Sequence, residues 1–259
     1  MNFAEARLKT EVLYGVHPVL EAFRAARRTF HEVYIAKDRP SKAVLQIVQR
    51  AESFKLPILQ VKPFRLEAIT GARMHQGVGL KVGPYPLAPL AEMLNASTAA
   101  GDKPFMLLLD GVTDPQNLGA LIRTAYCAGI HGIILPSDRS AAPTSVVSKT
   151  SSGALEHVLL SRVSNMVSTI KALKDQGLWV AGMDRNGDRS IYDFDFTGGV
   201  ALVIGGEEKG IRPLVKRHCD FLISIPQSGH FNSLNASAAG AVVLYEAFRQ
   251  RHVKDICDD

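Results

Sequence analysis

Three short segments carry residue types and spacings able to do chemistry: DGVTDPQNLGALIRTA at 110–125, IGGEEKG at 204–210 and IPQSGHFNSLNAS at 225–237. Each follows or closes an apolar run and turns through Gly, Pro, Ser, Asn or Asp. Such turns are how α/β proteins build a small-molecule pocket at strand ends. Their chemistry is not that of a phosphate loop. GGEEKG lacks the G-x-G-x-x-G spacing and sets Glu207 and Glu208 where a pyrophosphate needs bare amides, and no G-K-[ST] occurs anywhere. A nucleoside di- or triphosphate is therefore disfavoured. A ligand without phosphate, held by backbone groups, fits better.

Taken singly, these residues also have plainer roles open to them. Asn117 follows Pro115 as a natural helix N-cap. Arg123 lies off the apolar stripe of Leu118, Leu121, Ile122 and Ala125, as a solvated arginine would. Ser233 and Asn235 straddle the start of the last helix pattern and suit caps, and Glu207 and Glu208 suit a solvated turn. His230 and Phe231 either touch a substrate or fill their turn. His17 and His75 are expected to serve domain structure.

The elements that must hold these turns come in two patterns. Residues 14–82 read as short alternating helices and strands, with Pro18 as first helical residue, strands at 31–36, 57–61 and 77–82, a helix capped by Ser41 and a short helix at 63–69. Residues 83–104, with Pro84, Pro86, Pro89 and Pro104 and the run NASTAAGDK, read as a linker interrupted by a helical turn at Leu90–Leu94. From Phe105 the alternation lengthens. Strands are expected at 105–110, 132–136, 157–163, 178–184, 200–206 and 221–226, with helices at 117–128, 144–151, 165–176 and 235–251. The last helix presents Ala238, Val242, Tyr245 and Phe248 on one face. Apolar strands separated by helices predict a parallel sheet covered on both sides, with all three turns on its carboxyl edge. The expected domains are 1–83, a linker at 84–104, and 105–259.

Bulk properties narrow the setting. A chain of 259 residues buries one large core or two modest ones. No apolar run approaches the roughly 20 residues of a membrane span, and the N-terminus has no signal-peptide core. Cys127, Cys219 and Cys257 are odd in number and unpaired in spacing, which disfavours a disulfide framework or a metal site and fits a reducing cytoplasm. The net charge of +5 is uneven: residues 1–86 hold 14 Lys and Arg against 7 Asp and Glu, or +7, and the remainder carries −2. A basic module joined to a near-neutral one points to polyanion binding.

Read in order, the turns contain N-x-G-x-x-x-R (Asn117, Gly119, Arg123), G-x-E-x-x-G (Gly205, Glu207, Gly210) and I-P-x-x-G-x-x-x-S-L-N-x-S (Ile225, Pro226, Gly229, Ser233, Leu234, Asn235, Ser237). Together they resemble the SpoU (TrmH-like) RNA ribose 2′-O-methyltransferases of the SPOUT superfamily, over about residues 105–251. The block YGVHPVLEA at 14–22, with HQGVG at 75–79, is similar to the L30e-like substrate-binding domain of the branch that methylates a guanosine of 23S rRNA. The resemblance implies S-adenosylmethionine as methyl donor, a C-terminal trefoil knot, a homodimer and an RNA substrate, without metal or membrane. It puts the cofactor on backbone around Gly205, Gly206, Ile225 and Leu234. It makes Arg123 catalytic, with Asn117 and Asn235 orienting the ribose or Arg123, Glu207 orienting the arginine or the turn, and Ser233 bonding near the nucleophile. Gln227 stands where the family usually has Met, and Ala236 where Val is common. A tRNA substrate and a non-catalytic ribosome-assembly factor are the alternatives.

Overall fold

A computed structural model of the chain describes residues 10–37, 41–228 and 234–252. The elements run β1 (Glu11–Tyr14), α1 (Val16–Ala25), β2 (Phe30–Ala36), α2 (Lys42–Ser53), β3 (Ile58–Val61), α3 (Pro63–Thr70), β4 (Val78–Val82) and α4 (Leu90–Ala99). They continue with β5 (Phe105–Asp110), α5 (Pro115–Cys127), β6 (Gly132–Pro136), α6 (Ser145–Thr150), β7 (Leu160–Val163), α7 (Met166–Asp175) and β8 (Trp179–Met183). The last are β9 (Arg189–Ser190), β10 (Val200–Gly205), α8 (Pro213–Lys216), β11 (Phe221–Ser224) and α9 (Ala236–His252). Two compact units result, one of residues 1–86 with 142–157, the other of 87–141 with 158–259.

The first unit holds a four-stranded sheet ordered β1-β4-β2-β3, antiparallel except for the parallel β2–β3 pair. Ser41 caps α2, its hydroxyl accepting the Val44 amide at 3.3 Å. One element was missed here and one expectation fails. Edge strand β1 was not anticipated, since four residues are too few to show a period. Pro18 is the third residue of α1, not the first; the helix begins at Val16, where the amide still needs no intrahelical partner.

Segment 142–157 was expected among the strands and helices of the second domain, yet α6 and the 3-10 turn Ala154–Glu156 pack with the first unit. The reason is a buried charge. Arg28 donates from Nε to Glu156 Oε2 at 2.7 Å and from Nη2 to Oε1 at 3.1 Å, with both side chains nearly inaccessible. Ser148 adds its hydroxyl to Oε1 at 2.8 Å. Glu11 takes the other side of Arg28 and accepts the Ser145 amide at 2.7 Å. Burial pushes the Glu156 carboxyl up, against the Arg28 guanidinium and the Ser148 hydroxyl, which draw it down.

The second unit is a seven-stranded sheet ordered β7-β6-β5-β10-β8-β11-β9, with every pairing parallel. Parallel strands covered on both faces need apolar side chains throughout, and Met106 to Leu109 on β5 and Ala201 to Val203 on β10 are fully buried. Each buried Leu or Val there contributes about 1.5–3 kcal/mol. Gly205 pairs with Asp110, so β5 and β10 end level and set their turns side by side.

Helix α9 buries Gly240, Val243, Leu244 and Ala247, while Ala238, Val242 and Tyr245, expected to share a face, share the one turned to solvent. The helix is apolar nearly all round, so period alone does not choose a face. Gly240 decides it: a Cβ there would lie 2.2 Å from the Leu121 side chain of α5, so only glycine lets the two helices meet so closely.

No described helix is long and apolar enough to cross a membrane, and the described residues contain no cluster of metal-ligating side chains.

Candidate active site

The three turns meet at one edge of the seven-stranded sheet because all its strands run the same way. A cleft of about 490 Å³ opens there, lined by Gly205 to Gly210, Ile225, Gln227, Leu234, Ala236 and Ala239, and on its far side by Met183 to Asn186 after β8. Gly205, Gly206, Ile225 and Leu234, expected to hold a cofactor, all line it. Gln227 and Ala236, the two departures from the family pattern, line it too.

The glycines are demanded by the backbone. A Cβ on Gly205 would stand 2.0 Å from the Gly210 carbonyl carbon, and one on Gly206 would stand 2.2 Å from the Gly111 carbonyl oxygen. Both clashes are with main chain, which has no rotamer to move. The turn is closed by Gly206 donating to Asp110 O at 3.0 Å and Gly210 donating to Gly206 O at 3.0 Å.

Asn117, Glu207 and Asn235 form one hydrogen-bonded chain across the three motifs. Asn117 Nδ2 donates to Glu207 Oε1 at 2.5 Å, and Asn235 Nδ2 donates to Asn117 Oδ1 at 3.1 Å. Asn235 Oδ1 then accepts the Ser237 amide at 2.8 Å and the Ala238 amide at 3.3 Å. The two ends fix the direction of the whole chain. A carboxylate only accepts and helix amides only donate, so each Asn has one possible orientation. Asn235 is therefore a helix cap and a link at once. Asn117 is not a cap: Asp114 fills that place, accepting the Gln116 amide at 3.0 Å, and this frees Asn117 to point at Glu207.

Arg123 lies two turns further along α5, on its exposed side and outside the cleft lining. Ser233, with Gly229, His230 and Phe231, lies outside the described residues. His75 Nδ1 accepts the Gly77 amide at 3.0 Å and shapes its own turn, while His17 is exposed on α1.

Two further features were missed from sequence. Asp110, wholly buried, accepts the Arg212 amide at 2.9 Å and its Nε at 2.8 Å, tying the end of β5 to the chain beyond the glycine turn. A lone Asp closing the all-apolar strand FMLLLD was the available signal, since a buried carboxylate requires a partner. Asp184 lines the cleft and pairs with Lys216 at 2.6 Å. Burial raises its carboxyl, but hydrogen bonds from Lys216 and the Asn186 amide outweigh this and hold it below the usual range.

The model of the SpoU rRNA Methylase family matches residues 104–245, which include all three turns. The chain belongs to the SpoU rRNA methylase family. Residues 12–88 match a second model, RNA 2′-O ribose methyltransferase substrate binding. Among SpoU relatives, the 23S rRNA (guanosine-2′-O-)-methyltransferase RlmB of Escherichia coli K12 is 40% identical over 93% of this chain and 99% of its own length. The SpoU methyltransferase AviRb from Streptomyces viridochromogenes, solved in complex with the cofactor AdoMet, superposes with a TM-score of 0.79 at 26% identity, over 94% of this chain and 91% of that one. The TrmH/SpoU tRNA modifying enzyme of A. aeolicus reaches 0.54 at 26% identity, over 60% of this chain and 79% of that one.

Proposed function

We propose that the protein methylates the ribose 2′-hydroxyl of a guanosine in 23S rRNA, using S-adenosylmethionine. The observation that carries this is the Glu207–Asn117–Asn235 chain, which joins the three family motifs at the mouth of a glycine-walled cleft. Substrate choice follows the extent of likeness. The RlmB relative matches across both units, whereas the tRNA enzyme covers 60% of the chain.

The cleft suits the cofactor. Its volume lies within the usual range for small-molecule sites. Gly205 and Gly206 bring bare backbone to the wall, where amides and carbonyls can read an adenine edge. Three carboxylates, Asp184, Glu207 and Glu208, against two cations, Arg185 and Lys209, line the cleft around a ligand that carries a positive sulfur. When bound, S-adenosylmethionine supplies an electrophilic methyl group. The remaining task is to align a poor nucleophile and remove its proton. Asn117 and Asn235, held rigid by their chain, orient the ribose. Arg123 is too basic to serve readily as a base. Its exposed guanidinium instead grips the phosphate next to the target ribose, and that phosphate, or the guanidine transiently neutral beside it, takes the 2′-hydroxyl proton. Ser233 donates near the nucleophile.

The wider assignment follows the same family. The second unit is a trefoil-knotted SPOUT domain, and the first is an L30e-like domain that places the RNA. The domains keep 1–83 and 105–259 as their main parts, with segment 142–157 belonging to the first and residues 87–104, expected as a linker, packing into the second through Ala88 and Met93. Ala238, Val242 and Tyr245 on α9 form an apolar stripe that fits a second copy of the chain in a homodimer. The protein works in the cytoplasm, where rRNA is assembled.

Arg123→Ala is expected to lower kcat by about a hundredfold or more, as the loss of one positioned donor does in other enzymes. Arg123→Lys should recover only a small part, because an ammonium cannot grip a phosphate bidentately. Single-turnover methylation assays read both; near-full activity in Arg123→Lys would rule out the bidentate grip.

A further inference from the structure

Among the described residues, one face of the first unit's sheet is half covered. Helices α1 and α2 share a core with Val33, Ile35, Val78 and Leu80 on one side. On the other side lies the eight-residue α3, whose Leu66 and Thr70 methyl groups would each sit 3.3 Å from a Cβ on Gly79. Gly79 pairs with Tyr34 and Tyr34 with Leu59, so both side chains share that face, running past α3 to edge strand β3. There Leu59 is 42% exposed, and Phe64 in the first turn of α3 is 69% exposed. Lys62 and Arg65 are exposed beside them. The carboxylates beside this strip are already matched, Glu67 by Arg73 at 3.1 Å and Glu32, which also accepts the Tyr34 hydroxyl, by Lys81 at 2.9 Å.

We propose that this strip is where the first unit takes an unpaired stretch of RNA, one base stacking on Phe64 and the adjoining phosphates lying against Lys62 and Arg65. The proposal rests on the RNA-methyltransferase reading and names the surface that holds its substrate. An aromatic face accepts any base, and flanking cations release counterions from the phosphates. The +7 charge of residues 1–86 selects a polyanion over a protein partner. Unpaired RNA, unlike duplex, offers splayed bases to such a ring.

The test is fluorescence anisotropy of the full chain with a labelled single-stranded fragment of 23S rRNA and with the same strand annealed to its complement. Phe64→Ala should weaken single-strand binding about tenfold and leave the salt slope unchanged, and Phe64→Trp should restore it. Lys62→Ala and Arg65→Ala should each lower the salt slope by about one. Thermal stability and S-adenosylmethionine affinity should match wild type in every variant. Wild-type binding by Phe64→Ala, in a protein that still methylates 23S rRNA, would overturn the strip and leave the activity standing. A wild-type protein that binds the strand through Phe64 yet methylates no RNA would overturn the activity instead.

Discussion

Arg28→Met is expected to destabilise the first unit by about 3–5 kcal/mol, the usual cost of leaving a buried charge without its partner. The side chain of Glu156 is 2% exposed and would keep only the Ser148 hydroxyl. The penalty should depend on pH. Burial already raises the Glu156 carboxyl, and loss of Arg28 raises it further. A folded-state pKa above the unfolded one means that the neutral form favours folding. The gap between Arg28→Met and wild type should therefore be widest above that raised pKa and narrow as pH falls through it. Adding Glu156→Leu should recover most of the loss, since an apolar pair of similar volume replaces buried ions at little cost. Denaturant titration across pH measures all three. A small, pH-independent effect of Arg28→Met would show that Glu156 finds water or another partner.

Gly206→Ala is expected to weaken S-adenosylmethionine binding by at least about a hundredfold, the scale of an ångström-sized misplacement in a preorganised site. The added methyl would need the space of the Gly111 carbonyl oxygen, so the 204–210 and 110–112 turns must separate. That movement also breaks the Gly206–Asp110 hydrogen bond. Calorimetric titration with the cofactor reads the effect directly. Unchanged affinity would mean that the cofactor does not rest on this turn.

Much of the second unit was legible because its code is local. FMLLLD, GIILP and VALVIGG are apolar runs bounded by turn residues, and each became a buried parallel strand. What stayed hidden is settled by residues far apart in the chain. Arg28 and Glu156 are 128 positions apart, and no periodicity reveals that 142–157 belongs with the first unit. The buried face of α9 was not legible because Gly240, the residue that selects it, looks like a weak point in a helix until Leu121 is seen against it. The site residues came from motif spacing, but their linkage did not. That Asn117 bonds Glu207 rather than capping α5 depends on Asp114 taking the cap, a competition that spacing alone leaves open.

The protein transfers a methyl group to a ribose 2′-oxygen in 23S rRNA. The most direct measurement is incorporation of label from S-adenosylmethionine into 23S rRNA, tRNA and matched fragments carrying a 2′-deoxy nucleotide at the acceptor. Label should enter 23S rRNA and be recovered as 2′-O-methylguanosine, and the single 2′-deoxy substitution should abolish its incorporation. Label entering tRNA alone, or no RNA at all while the cofactor still binds, would contradict it.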